Sequence, residues 1–167
     1  MKVYFAHGLG GKPEGDKIKR LSAVAEEQGC RYTSIDYTDT ADADLRVERL
    51  VKELAHEKDE FILVGSSMGG YVSLVAAEQF PAKGIFLMAP ALFMPGYQKQ
   101  TYANNANVEI VHGWSDKTIP PEHSIRYAQS IRCPLHIIPG DHRLSSSIDV
   151  IEKLFLQFLL SQRHSKA

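Results

Sequence analysis

The sequence predicts a three-layer α/β fold, with about six mostly parallel strands and helices on both faces. Three observations carry that expectation. Apolar runs at residues 3–6, 61–64, 85–89, 108–111 and 135–138 mostly fail to alternate with polar residues, the pattern of strands covered on both sides. Between them lie stretches with apolar residues at helical spacing, so strand and helix alternate along the chain. Residues 61–79, FILVGSSMGGYVSLVAAEQ, read as a strand that turns sharply into a helix around one serine.

In chain order, the run at 3–6 ends in the glycine-rich turn His7-Gly8-Leu9-Gly10-Gly11. Ile18, Leu21 and Ala25 then fall on one face of a first helix. Residues 30–37, CRYTSIDY, are more polar and suit an edge strand. Val47, Leu50, Val51, Leu54 and Ala55 share one face of a second helix, with Asp42 or Asp44 as its N-cap. After the runs at 61–64 and 85–89 comes the irregular segment 90–107, PALFMPGYQKQTYANNAN, whose length is unusual for a compact domain. Its Leu92, Phe93, Met94, Tyr97 and Tyr102 either line an acyl pocket as a short lid or pin a surface loop. Pro134 and Pro139 bracket the last strand and mark it as the other edge. Beyond Ser145-Ser146-Ser147, the residues Ile151, Leu154, Phe155, Phe158 and Leu159 form the stripe of a final helix.

At 167 residues the chain is expected to form one domain, 1–167, that buries about 70% of its unfolded surface. A net charge of −1 with interspersed signs gives no broad basic face, so nucleic acid is not an expected partner. Cys30 and Cys133 stand far apart and read as thiols of a reducing compartment. No leader pattern opens the sequence and no apolar run reaches membrane-spanning length, so a cytoplasmic protein is expected, monomeric or a small homo-oligomer, with no membrane contact.

Gly65-Ser66-Ser67-Met68-Gly69 has the G-x-S-x-G spacing of a nucleophile elbow. The spacing has a steric cause: a serine lifted above the sheet brings strand and helix close together, which leaves little room for side chains two residues to either side. A serine hydroxyl needs a base to take its proton, and the base needs an acid to orient it. In this fold both should follow the serine, on loops at strand ends. Asp116 lies after the strand at 108–111, and His142 follows the strand at 135–138 beyond a glycine turn. His56, His123, His136 and His164 fall on helices, within a strand or in the tail, and His7 precedes the serine. Asp141 is the rival acid, but its side chain should diverge from that of the adjacent His142. Two backbone N–H groups should complete an oxyanion hole, those of Met68 and Leu9. His7, Gly8 and Trp114, with Leu92, Phe93 and Tyr97, are the candidates for contact with a substrate. Lys12, Lys17, Lys19 and Arg20 either attract an acidic substrate or form a solvated helix face.

Together FAHGLGG, VGSSMGG, HGWSDKTIP and GDHR resemble the α/β-hydrolase superfamily, in particular its small, nearly capless bacterial esterases and thioesterases. The resemblance spans the whole chain. It implies a serine hydrolase that cleaves a carboxylic ester or thioester of a small molecule, with no large cap domain, no metal and no organic cofactor. It also implies Ser67 as nucleophile, His142 as general base and acid, Asp116 as orienting acid, and Leu9 and Met68 as oxyanion donors. Amide or acyl-transfer chemistry on the same residues, or a non-catalytic binding protein of this fold, are the alternatives.

Overall fold

In the computed structural model, residues 1–103 and 106–164 are described; Asn104 and Asn105 of the 90–107 loop, and residues 165–167 of the expected 1–167 domain, lie outside them. The elements in order are β1 (Lys2–Ala6), α1 (Asp16–Glu27), β2 (Arg31–Ile35), α2 (Ala43–Leu54), β3 (Phe61–Ser66), α3 (Met68–Ala76), β4 (Gly84–Met88), β5 (Asn107–Gly113), α4 (Pro121–Ile131), β6 (Leu135–Ile138) and α5 (Ile148–His164). A 3₁₀ turn at Ser145–Ser147 precedes α5, where the sequence places a helix start.

The strands form one sheet in the order β2-β1-β3-β4-β5-β6, and every pair is parallel. The polar stretch at 30–37 and the proline-bracketed strand are therefore the two edges. Alternate residues of β1 separate the core into two layers. Tyr4 and Ala6 join Val47, Leu50, Leu54, Val72, Val75 and Tyr127, so α2, α3 and α4 cover one face. Val3 and Phe5 join Ile18, Leu21, Ile151, Phe155 and Leu159, so α1 and α5 cover the other. Each such aliphatic or aromatic side chain contributes about 1.5–3 kcal/mol on burial, and the two layers hold both faces of the sheet dry.

Of the two candidate caps, Asp42 opens α2; its side chain accepts from Asp44 N–H and Leu45 N–H. The described residues of segment 90–107 are tied down at several points. Leu92 is fully buried, Phe93 N–H donates to the Tyr102 hydroxyl at 2.8 Å, and Lys99 N–H donates to the Tyr71 hydroxyl at 3.1 Å.

Two close approaches position the strand ends. A Cβ on Gly69 would lie 1.9 Å from the Ala6 carbonyl oxygen, so the start of α3 rests directly on the end of β1. A Cβ on Gly113 would lie 2.3 Å from the Gly140 carbonyl oxygen, so the loops after β5 and β6 are pressed together.

Candidate active site

Ser67 sits between β3 and α3 with φ 54 and ψ −119, a backbone conformation that L residues rarely adopt. It is held there from both sides: Ser67 N–H donates to the Met88 carbonyl at 3.0 Å, and the Ser67 carbonyl accepts from Gly70 N–H and Ala91 N–H, each at 2.9 Å. The glycines at 65 and 69 answer the expected crowding, since a Cβ on Gly65 would lie 2.3 Å from the Gly69 carbonyl oxygen.

His142 arrives from the loop after β6. Its Nε2 lies 2.9 Å from Ser67 Oγ, and its Nδ1 lies 2.7 Å from Asp116 Oδ2. A carboxylate can only accept, so the ring donates from Nδ1 and leaves Nε2 free to accept the serine proton. The register between the two loops is set by backbone bonds from Trp114 N–H to the Ile138 carbonyl and from Ser115 N–H to the Gly140 carbonyl, each at 2.9 Å. Asp141 is engaged otherwise, since its Oδ1 accepts from Arg143 N–H and Leu144 N–H within its own turn.

The Asp116 side chain is fully buried, whereas that of His142 is 23% exposed. Four donors converge on the carboxylate. Thr118 and Ile119 N–H reach Oδ1 at 2.9 and 2.8 Å, and His142 and His112 reach Oδ2. His112 Nε2 faces two acceptors, Asp116 Oδ2 at 3.1 Å and the Ile119 carbonyl at 2.9 Å, and must carry the proton; its Nδ1 then accepts from Ser124 Oγ at 2.7 Å. Burial pushes the His112 pKa down, which favours this neutral ring.

On the opposite side of Ser67, the loop after β1 closes as a turn through Gly11 N–H to the Gly8 carbonyl at 3.1 Å, and Gly10 supplies the positive φ of 74 at its third position. Gly8 approaches so closely that a Cβ there would meet Ser67 Cβ at 3.0 Å. Met68 opens α3, and as the first helical residue its N–H has no acceptor within the helix. Leu9 is 62% exposed at the tip of the turn.

The expected substrate contacts are redistributed. His7 borders the cavity described below but is buried, with Nε2 accepting from Tyr37 N–H at 3.0 Å and Nδ1 bound to the Gly8 carbonyl at 2.8 Å. Burial lowers its pKa, and the neutral ring serves as a brace for the Gly8 turn. Leu92 packs in the core with Tyr71 and Tyr102, and Phe93 lies against Tyr102 and His123, because the segment after β4 folds down over α3 and α4. Tyr97 stacks on Tyr71, with ring centroids 4.4 Å apart. Trp114 stands 64% exposed on the loop after β5.

An open cavity of about 740 Å³ borders Ser67 and His142, and its wall comes from Gly8, Leu9, the start of α1 and Arg143. Leu92, Phe93, Tyr97 and Trp114 are not among the described residues that line it.

Two supporting residues were missed. Arg46, fully buried, donates to the Thr40 and His7 carbonyls and so ties α2 to the turn after β1. It falls on the buried stripe Ala43, Arg46, Val47, Leu50, Leu54, and that spacing was the available signal. For His112 the signal was period two, since Val108 and Ile110 point to the same layer.

Residues 1–132 match the uncharacterised protein family UPF0227, a span that includes Ser67 and Asp116 and ends before His142. A crystal structure from Xanthomonas campestris pv. campestris, of a protein assigned as a hydrolase of the α/β superfamily, is 31% identical over 96% of this chain and 98% of that one, with a TM-score of 0.88. The chain belongs to UPF0227 and to the α/β-hydrolase superfamily. Est1E from Butyrivibrio proteoclasticus shares the fold at 19% identity, 96% and 87% coverage and a TM-score of 0.78. The monoacylglycerol lipase of Paleococcus ferrophilus does so at 14% identity, 96% and 94% coverage and a TM-score of 0.78. No curated protein matches the chain. Over these alignments the described residues of this chain supply six parallel strands with helices on both faces and no large cap. Among the described residues no helix is long and apolar enough to cross a membrane.

Proposed function

We propose that this hydrolase-superfamily protein is a serine hydrolase that cleaves a carboxylic ester or thioester of a small molecule through an acyl-Ser67 intermediate. The observation that carries the reading is the hydrogen-bonded chain from Ser67 Oγ through His142 to Asp116, at 2.9 and 2.7 Å, beside an open cavity.

In this mechanism Ser67 Oγ attacks the substrate carbonyl carbon while His142 Nε2 takes the serine proton. Asp116, fixed by its other three donors, holds the ring in the required tautomer and stabilises the imidazolium. Negative charge gathers on the former carbonyl oxygen, where the N–H groups of Leu9 and Met68 receive it; each donor of this kind is worth about 3 kcal/mol of barrier. When the tetrahedral intermediate collapses, His142 returns the proton to the leaving alcohol or thiol. Water then attacks acyl-Ser67, with His142 again taking a proton, and the acid product departs with the serine hydroxyl restored.

The test is intact mass after exposure to a fluorophosphonate, comparing the native protein with Ser67→Ala. A single adduct on the native chain that is missing from the variant is the expected outcome. If the folded native protein takes up no adduct, or the variant takes up as much, Ser67 is not activated and the reading fails.

A further inference from the structure

The cavity beside Ser67 contains a charge that hydrolysis of a neutral ester would not use. Lys17, in the first turn of α1, lines it and donates from Nζ to Ser66 Oγ at 3.2 Å. Among the described residues no carboxylate forms an ion pair with Lys17. Arg20, which also borders the cavity, is instead held by Glu152 and Asp149. Among the described residues the remaining charged lining consists of Lys12, Lys19 and Arg143 with the acid Asp16. A half-buried ammonium with no ion-pair partner is costly, and desolvation pushes Lys17 down to about 8 against the weaker, opposing pull of Asp141 and Asp116. An anion entering the cavity would relieve that cost.

The position of Lys17 also limits which anion fits. Lys17, Ser66 and Ser67 all border the same cavity, so an ammonium bound to Ser66 faces the space that the reacting carbonyl enters. A charge carried far out on a long leaving group would meet Lys12, Lys19 or Arg143 instead. Resting on the serine-hydrolase reading above, we propose that Lys17 is a specificity-determining residue that holds a carboxylate carried by the substrate close to the scissile carbonyl. The carboxylate can belong to the acyl half, as in the monoester of a short dicarboxylic acid, or to the alcohol half, as in the ester of a hydroxy acid.

Two pairs of esters separate these sources: 4-nitrophenyl hemiglutarate against its methyl ester, and 3-carboxyphenyl butyrate against its methyl ester. For one pair the native protein should favour the carboxylate over its neutral twin at pH 7. A charge-assisted contact of this kind predicts that Lys17→Met lowers the ratio of kcat/KM values, anionic over neutral, by about tenfold or more. The pair that responds identifies the half that carries the charge.

In the native protein the same ratio should fall as pH rises through about 8, where Lys17 loses its proton. Asp141, Asp116, Asp16, His142, Lys12, Lys19 and Arg143 also surround the site. Both esters of a pair pass through the same chemical step at Ser67, so the pH dependence of that step cancels in the ratio. No preference in either pair overturns the proposal, as does a ratio that survives Lys17→Met, falls instead with Lys12→Met or Arg143→Met, or persists to pH 10. If Lys17→Met fails to fold, the native pH dependence decides. Turnover of neutral esters together with a Ser67 adduct but without anion preference refutes this inference alone. Turnover of no ester, with no adduct, removes the reading beneath it and the inference with it.

Discussion

Replacing Gly69 with alanine would test whether the contact between β1 and α3 builds the site. The added Cβ would lie 1.9 Å from the Ala6 carbonyl oxygen, 2.5 Å from the Ala6 carbonyl carbon and 2.9 Å from the His7 carbonyl oxygen, where real contacts stay above 3.0 Å. All three atoms are backbone, so no side chain can swing aside and the start of α3 must part from the end of β1 by about 1 Å. Overpacking against rigid backbone on this scale costs about 3 kcal/mol, which corresponds to a fall in Tm of about 6–12 °C for a chain of this size. The same displacement separates Ser67 and Met68 from the turn that holds Leu9, and a misplacement of about 1 Å in such geometry costs on the order of 100-fold in rate. Gly10→Ala is the control: Gly10 has φ 74 but no atom within 4 Å of the added Cβ, so only the backbone term of about 1 kcal/mol applies. Thermal unfolding by circular dichroism and the rate of fluorophosphonate labelling measure the two effects. A Gly69→Ala protein that melts within about 2 °C of the native one and labels at the native rate would refute the steric argument.

Other predictions follow from the same geometry. Ser67→Gly should melt about 2–4 °C above Ser67→Ala, because glycine releases backbone strain that alanine, with its Cβ, retains at φ 54; equal melting temperatures would count against strain. His112→Phe removes a donor to Asp116 and the partner of Ser124, and should lower kcat about tenfold with little change in KM, as expected for a residue that acts by orienting Asp116. Steady-state kinetics on any ester that is turned over would check this, and native kinetics in the variant would end the argument. For pH, burial holds the folded pKa of both His7 and His112 below 6.5, so the unfolded chain takes up protons first. Their contribution to stability is complete above about 6.5 and is lost as pH falls from there through the folded values. Urea unfolding between pH 8 and pH 5 should show that loss, and His7→Gln should flatten it.

Much of the architecture was legible because each strand and helix has one requirement that the local sequence must meet. The parallel strands, buried on both faces, needed unbroken apolar runs, and β3 and β4 have them. The edges showed as well, through the polarity of β2 and the prolines that flank β6. Ser67, Asp116 and His142 could be named because elbow spacing and order along the chain restrict them to a few loop positions. The cavity could not be read in this way. Leu92, Phe93 and Tyr97 are suitable residues for an apolar pocket, but whether they line one depends on where the segment after β4 comes to rest.

The sequence by itself determined the layer order, the strand-to-helix turn at Ser67 and the identity of three hydrogen-bonded side chains, since these rest on periodicity, glycine spacing and chain order. Only the tertiary structure decided that Arg46 and His7 brace the turn at Gly8, that His112 supports Asp116, and that Lys17 donates to Ser66 beside the nucleophile candidate. The physical reason is that Arg46 reaches His7 across 39 positions and Lys17 reaches Ser66 across 49, while the short-range contacts of His7 and His112 depend on how the strand-end loops pack. Their distances are set by packing of the whole sheet and are not encoded in any one stretch of sequence.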